Sequence, residues 1–158
     1  MVEILKKITK KVDLFLYFFI VIFFSILIFS CVLQVFTRYI LNSAFSWTEE
    51  LARYSFIWTN LLGAVLCVKK SSHATVTALT DKFSEKRRKK IQIFVQIIIF
   101  LVALILVIYG TELTLKTIKQ TSAAMKISMA LINASVPITG LFIMLYAILN
   151  ILLLKENR

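Results

Sequence analysis

Residues 34–67 read QVFTRYILNSAFSWTEELARYSFIWTNLLGAVLC, and this stretch decides how the chain folds. It places two arginines, two glutamates and two tryptophans between apolar runs that have the character of membrane segments. Charged side chains are costly in hydrocarbon, so these charges are expected near the membrane surface. We therefore expect a first helix to end near Tyr39, a short turn to follow at residues 40–45, and a second helix to begin near Trp47.

The composition of the whole chain is that of a polytopic membrane protein. Of its 158 residues, 59% are hydrophobic and 13 are phenylalanine, which is more apolar than a soluble domain of this size. Three uncharged runs reach the ~20 residues that cross ~30 Å of hydrocarbon, and a fourth does so if its charged first turns are included. We predict an all-α membrane protein, a single integral-membrane domain over residues 1–158, with four transmembrane helices at about 12–39, 47–68, 91–115 and 128–154.

The net charge of +11 predicts the orientation of these helices. Fourteen of the nineteen basic residues lie in the N-terminal tail, in a link at residues 69–90, or at the C-terminus. Basic residues collect on the cytoplasmic side of membrane proteins, so both termini and the basic link are expected in the cytoplasm. Residues 2–11 form either a short interfacial helix on the anionic leaflet or a solvated basic tail. The charge indicates contact with membrane lipids and does not indicate nucleic acid.

Polar and small side chains indicate which helix faces meet protein, because they permit close packing and hydrogen bonds between membrane helices. The first helix has such a face around Gln34. The second helix has a face of this kind, and an opposite face that we expect to meet lipid. The face expected to meet protein holds Glu49, Arg53, Asn60 and Gly63. The face expected to meet lipid holds Trp58, Leu62 and Val65.

Four charged residues are expected to lie together at the turn between the first two helices. Glu49 and Arg53 are spaced i, i+4, and Arg38 can pair with either Glu49 or Glu50 across the hairpin. Two roles are open for this group. It is either an ion-pair clamp that sets the angle between the two helices, or a site that binds a partner directly.

Other conspicuous residues have structural interpretations. Residues 46–49 have the spacing of a capping box at the start of the second helix. Trp47 is expected to anchor that helix at the interface, and Trp58 either to pack within the protein or to contact lipid. Pro137 predicts a kink in the fourth helix, and His73 is expected to be a hydrogen-bonding residue of the cytoplasmic link.

The residue clusters on which enzymes depend are not apparent in the sequence. A single histidine and two separated cysteines leave no catalytic set, metal site or cofactor site. With three glycines, one proline and no charge near the middle of any span, the chain is not expected to carry substrate by itself. A self-assembling small channel or efflux protein remains the alternative, and a membrane enzyme is a more distant one.

Motifs spread over most of the chain carry a family resemblance: Gln34-Val-x-x-Arg38-Tyr39, Asn42, Trp47-x-Glu49-Glu50-Leu-Ala-Arg53, Trp58, Leu62-Gly63-Ala64, His73 and Val136-Pro137-Ile138. Together they resemble the small membrane subunit (DctQ type) of tripartite ATP-independent periplasmic (TRAP) transporters. The chain departs from the pattern after Val76, where relatives often have an acidic residue and this chain has Thr77.

The resemblance implies a multi-pass protein of the bacterial inner (cytoplasmic) membrane. It also implies two partners, a much larger membrane subunit and an extracytoplasmic substrate-binding protein. Such systems import organic anions, for example C4-dicarboxylates or sialic acid, with a sodium gradient, and the coupling sodium ions would belong to the large subunit. The small subunit is thought to brace the scaffold of the large one. We therefore expect structural or interaction roles, and no catalytic, cofactor or metal role, for Gln34, Arg38, Trp47, Glu49, Glu50, Arg53, Trp58, Asn60, Gly63, His73 and Pro137.

Overall fold

A computed structural model describes the backbone of residues 2–43, 45–80 and 85–156, and the side chains of residues 9–43, 45–69 and 87–154. This part of the chain is almost entirely helical. Its helices are α1 (Val2–Tyr39), α2 (Ser46–Thr80), α3 (Glu85–Lys116), α4 (Met129–Asn133) and α5 (Ser135–Glu156). Within the described ranges the only strand-like feature is an isolated bridge between Thr121 and Ser128. The all-α prediction is confirmed.

Four helical stretches of the described chain are long and apolar enough to cross a membrane, as the sequence predicted. They cover Thr9–Tyr39, Ser46–Lys69, Arg87–Lys116 and Met129–Leu154. Even the shortest has 24 residues, which at ~1.5 Å per residue gives about 36 Å and exceeds the ~30 Å of a hydrocarbon core. The fourth span contains both α4 and α5.

The helices continue further than the sequence predicted. Residues 2–11 are not a separate interfacial helix, because they form the first turns of α1. The basic link expected at residues 69–90 is largely helical, since α2 continues to Thr80 and α3 begins at Glu85. Neither segment contains a glycine or proline, the residues that most often stop a helix.

The helices form an open row. α1 packs along α2, α2 also packs along α5, and α5 packs most extensively along α3. α1 and α3 therefore lie at the two edges of the row, and the core lies along α2 and α5. The buried apolar residues of this core are Leu16, Leu62, Val65, Ala103, Ile143, Tyr146 and Leu149.

Two glycines allow α3 and α5 to approach closely. A Cβ atom added to Gly140 would lie 2.8 Å from Val107 Cγ2 and 3.0 Å from the carbonyl oxygen of Ala103. A Cβ atom added to Gly110 would lie 2.9 Å from the ring of Pro137. Real Cβ atoms need more space than this, so both contacts require glycine. The two contacts together fix the antiparallel register of α3 and α5.

The fourth span is interrupted at Ala134, between α4 and α5. Pro137 lies in the first turn of α5 and lacks the N–H group that would donate to the carbonyl of Asn133, four residues earlier. Its ring also crowds that carbonyl. The proline expected to kink the fourth helix is thus found beside a break between two helices.

Candidate functional site at the two ends of the helix row

The turn between α1 and α2 is held by backbone hydrogen bonds. The N–H group of Ile40 donates to the carbonyl of Phe36 at 2.9 Å, and that of Ser43 donates to the carbonyl of Thr37 at 3.1 Å. Asn42 has a φ of 47°, in the left-handed region that asparagine tolerates better than most residues. Asn42 therefore suits the point at which the chain leaves α1 and turns back toward α2.

The start of α2 does not use the predicted capping box. Ser46 is exposed, and in the described structure its side chain makes no hydrogen bond to the first turn of the helix. The hydroxyl of Thr48 donates instead to the carbonyl of Phe45 at 2.7 Å. Glu49 turns away from the helix end to pair with Arg53 at 2.8 Å. This i, i+4 pair forms as expected, but both side chains are about 60% exposed, so it contributes only about 0.2–1 kcal/mol.

The loop between α3 and α4, residues 117–128, is tightly folded and is called here the α3–α4 loop. The N–H group of Ser122 donates to the carbonyl of Ile127 at 2.9 Å. The hydroxyl of Ser128 donates to the carbonyl of Ile118 at 2.9 Å and also caps the start of α4. These bonds give the loop a defined shape that can present its own backbone N–H groups.

Glu50 binds those N–H groups. Its Oε1 atom accepts a hydrogen bond from the N–H of Ala124, and its Oε2 atom accepts one from the N–H of Met125, both at 3.0 Å. Hydrogen bonds to a charged acceptor are stronger than those between neutral groups. No ion pair joins Arg38 to Glu49 or Glu50, all of which are described, so the predicted pair across the hairpin is wrong. Glu50 fastens α2 to the α3–α4 loop and does not fasten it to α1.

An open cleft of about 360 Å³ lies beside this contact. Two carboxylates and one guanidinium line it, so it can hold polar groups. This geometry leaves a binding role open for Glu49 and Arg53, whose mutual ion pair is exposed. The residues lining the cleft are Ser46, Glu49, Glu50, Arg53, Ala123 and Ala124.

A second polar contact lies near the opposite ends of the membrane spans, and it was not predicted from the sequence. Asp13 Oδ2 accepts a hydrogen bond from Lys69 Nζ at 2.5 Å, and Asp13 Oδ1 accepts one from the Tyr146 hydroxyl at 2.6 Å. These residues join α1, α2 and α5. One sequence signal was available, because Asp13 is the only acidic residue between Glu3 and Glu49 and it lies at the start of the first apolar run.

These two contacts are called here the Glu50 cluster (Glu50, Ala124 and Met125) and the Asp13 cluster (Asp13, Lys69 and Tyr146). The Asp13 cluster lies near the start of the first span and joins it to Lys69, at the end of the second span, and to Tyr146 of α5. The Glu50 cluster lies at the other end. That the Asp13 end faces the cytoplasm stays a prediction from the distribution of basic residues.

The two tryptophans have different surroundings. Trp58 stacks on Phe23 of α1 with ring centroids 5.3 Å apart and an interplanar angle of 11°, so it packs within the protein. Trp47 is 41% exposed and stacks on Phe45 at 6.4 Å. An exposed indole beside the turn is in keeping with the predicted interfacial anchor.

The remaining predicted residues do not join either cluster. Gln34 is half-buried on α1, and Arg38 is exposed at the end of that helix. Asn60 is exposed on α2, and no atom would lie within 4 Å of a Cβ atom added to Gly63. His73 falls in the helical backbone of α2, but its side chain lies outside the described side chains.

The inward and outward faces of α2 differ from the expectation. Leu62 and Val65, expected to meet lipid, are 3% and 0% exposed and belong to the core. Asn60 and Ala64 point away from the rest of the chain. Apolar side chains pack equally well against lipid or protein inside a membrane, so their hydrophobicity does not show which of the two they meet. The assignment of Leu62 and Val65 to lipid is wrong for this physical reason.

Comparison with known proteins gives the family of this chain. Residues 27–156 match the family described as tripartite ATP-independent periplasmic transporters, DctQ component. The sialic acid TRAP transporter small permease protein SiaQ of Vibrio cholerae is 30% identical over 109 residues, which are 69% of this chain and 63% of that protein. A putative TRAP transporter small permease protein of Haemophilus influenzae is 27% identical over 152 residues, covering 94% of this chain and 89% of that protein.

A third relative is much longer than this chain. The sialic acid TRAP transporter permease protein SiaT of Haemophilus influenzae is 29% identical over 111 residues, which are 70% of this chain and 18% of that protein. The chain therefore spans less than two thirds of SiaQ and about a fifth of SiaT. The family consists of transporter components and not of enzymes, as the sequence predicted. With most of its length matched and four helices able to span a membrane, the chain belongs to the DctQ family of TRAP transporter small permease proteins.

Proposed function

We propose that this chain is the small permease subunit of a TRAP transporter in the bacterial inner membrane, where it braces the scaffold of a large membrane subunit. The observation that carries the proposal is the presence of a polar cluster near each end of the membrane spans. The Asp13 cluster joins α1, α2 and α5, and the Glu50 cluster joins α2 to the loop that leads into α4. α2 takes part in both clusters and is therefore held to other segments near each of its membrane ends, which is a property that a brace requires.

The length of one relative supports a large membrane partner. The segment similar to this chain makes up 18% of SiaT, so the rest of that permease lies in the same polypeptide. A separate small chain can hold such a partner only through noncovalent contacts. We propose that the partners of this chain are a large TRAP subunit and an extracytoplasmic substrate-binding protein.

We propose further that the assembled system imports an organic anion. Both SiaQ and SiaT are named for sialic acid, which favours sialic acid or another acidic sugar, with C4-dicarboxylates as the alternative. Uptake is driven by sodium, and the coupling ions bind the large subunit. Both ends of this chain face the cytoplasm, so that the Glu50 cluster and its cleft face the binding protein.

The test is to isolate the complex from cells that make it. The chain is tagged, extracted in a mild detergent and analysed by mass spectrometry for copurifying proteins. A stoichiometric large polytopic subunit is the expected result, together with sodium-dependent uptake of labelled sialic acid or C4-dicarboxylate that is lost when this chain is deleted. Recovery of the chain alone as a homo-oligomer with measurable flux would refute the proposal in favour of a small channel.

A further inference from the structure

The outward faces of the four spans differ in chemistry. Away from the ends of the spans, the exposed positions of α3 and α5 are large and apolar, and those of α1 are mostly so. Examples are Phe18, Val21 and Phe29 of α1, Phe94, Ile98 and Leu101 of α3, and Leu141, Ile148 and Leu152 of α5. Such side chains gain little from leaving lipid, so these faces suit the membrane itself.

The outward face of α2 carries mostly small and polar residues, with Phe56 as its one large apolar side chain. Between positions 49 and 67 the exposed residues of α2 follow one helical stripe: Glu49, Arg53, Phe56, Asn60, Ala64 and Cys67. Gly63 lies beside Asn60 on the same side of the helix. This stripe, called here the α2 outer face, runs from the ion pair near the helix start almost to the end of the span at Lys69.

Asn60 lies deep in the membrane on this face. It follows Ser46, the first residue of the span, by fourteen residues, which corresponds to about 21 Å along the helix. Its side-chain Nδ2 donates to the carbonyl of Phe56 in the same helix at 2.9 Å. No donor to its Oδ1 atom is present among the described residues. A polar amide is costly in hydrocarbon unless a neighbouring helix supplies a hydrogen-bonding partner.

Gly63 has space beside it that the chain itself does not fill. A Cβ atom added there would meet nothing within 4 Å, whereas Gly110 and Gly140 are both closed off by the neighbouring helix. Two of the three glycines are therefore explained by packing within the chain, and Gly63 is not. In membranes, small residues mark places where another helix backbone approaches closely.

We propose that the α2 outer face binds a transmembrane helix of the large subunit, which crosses α2 at Gly63 and donates a hydrogen bond to Asn60. This inference rests on the proposed function, because it names the surface through which the brace is attached. Asn60 needs a polar partner at membrane depth and Gly63 needs a close backbone. A transmembrane helix satisfies both requirements, and lipid satisfies neither.

The test adds bulk at two outward-facing positions and measures the recovery of the large subunit. Gly63→Leu adds four side-chain carbon atoms to the α2 outer face, and Val102→Phe adds four to the apolar outer face of α3, where Val102 is 52% exposed. Because overpacking weakens a close contact, Gly63→Leu is expected to lower copurification of the large subunit roughly tenfold, and Val102→Phe to leave it unchanged. Unfolding of each isolated variant, followed by tryptophan fluorescence, checks that both fold.

A photoreactive residue gives a second readout that does not depend on stability. Placed at Asn60 it is expected to crosslink to the large subunit, and placed at Leu101 of α3 it is not. Full copurification with Gly63→Leu, equal loss in both bulky variants, or a crosslink from position 60 to a second copy of this chain would overturn the assignment. Failure of the unmodified chain to copurify any large subunit would instead refute the proposed function.

Discussion

The Tyr146 hydroxyl offers a clean test of the Asp13 cluster. Replacing Tyr146 by phenylalanine keeps the ring, which is 1% exposed, and removes only the donor that lies 2.6 Å from Asp13 Oδ1. A hydrogen bond to a charged acceptor contributes about 1.5–3 kcal/mol to stability. The Asp13 side chain is 16% exposed, so water partly replaces the lost donor and the lower end of that range applies. We expect Tyr146→Phe to destabilise the protein by about 1.5–2 kcal/mol, roughly a 10–30-fold change in the unfolding equilibrium.

The assay is equilibrium unfolding of the purified chain in mixed detergent micelles with increasing dodecyl sulfate. Tryptophan fluorescence reports the loss of the Trp58 stack on Phe23. Tyr17→Phe is the matched control, because Tyr17 is a 44% exposed tyrosine on α1 and surface substitutions usually change stability by less than about 0.5 kcal/mol. In an Asp13→Asn background the effect of Tyr146→Phe is expected to shrink. If Tyr146→Phe and Tyr17→Phe unfold alike, the hydroxyl contributes nothing and the cluster does not fasten the helices.

Two further predictions concern the Glu50 cluster and the contacts between helices. Replacing Glu50 by glutamine removes the charge and one acceptor, so amide hydrogen exchange in the α3–α4 loop is expected to accelerate about tenfold or more. The control variant Glu49→Gln is expected to leave this exchange unchanged. Identical exchange in the two variants would show that Glu50 does not hold the loop. Gly140→Ala is expected to lower the thermal midpoint because its Cβ atom would meet α3 at 2.8–3.0 Å. Gly63→Ala is expected to preserve or raise the thermal midpoint, since the space is open and alanine favours a helix by about 1 kcal/mol over glycine. Equal thermal midpoints for Gly140→Ala and Gly63→Ala would contradict the packing described for α3 and α5.

Local signals in the sequence predicted the architecture well. Hydrophobic run length sets the number of spans, and the four-span prediction needed no knowledge of packing. The Glu49–Arg53 pair was also predictable, because both partners lie on one helix and their spacing fixes their separation. The turn at residues 40–45 was also predictable from local sequence, because charged residues lie on both sides of it.

Contacts between distant segments could not be predicted. The two N–H groups that bind Glu50 lie 74 and 75 residues further along the chain, and Tyr146 lies 133 residues beyond Asp13. Arg38 was the obvious electrostatic partner for Glu50, but every residue except proline has a backbone N–H group, and no sequence pattern shows which of them the fold will aim at a carboxylate. The faces of α2 were obscure for a related reason, because leucine and valine pack equally well in a core or in lipid.

The open row of helices has a consequence for the order in which the protein is built. α1 and α2 are consecutive in the chain and form one hairpin, while α3 and α5 form a second, so each hairpin can enter the bilayer on its own before the two associate. Lys69 belongs to the first hairpin and can pair with Asp13 at once. The two N–H groups that bind Glu50 are synthesised 74 and 75 residues later. Docking of the second hairpin is therefore the step at which Glu50 exchanges hydration by water for two backbone N–H donors.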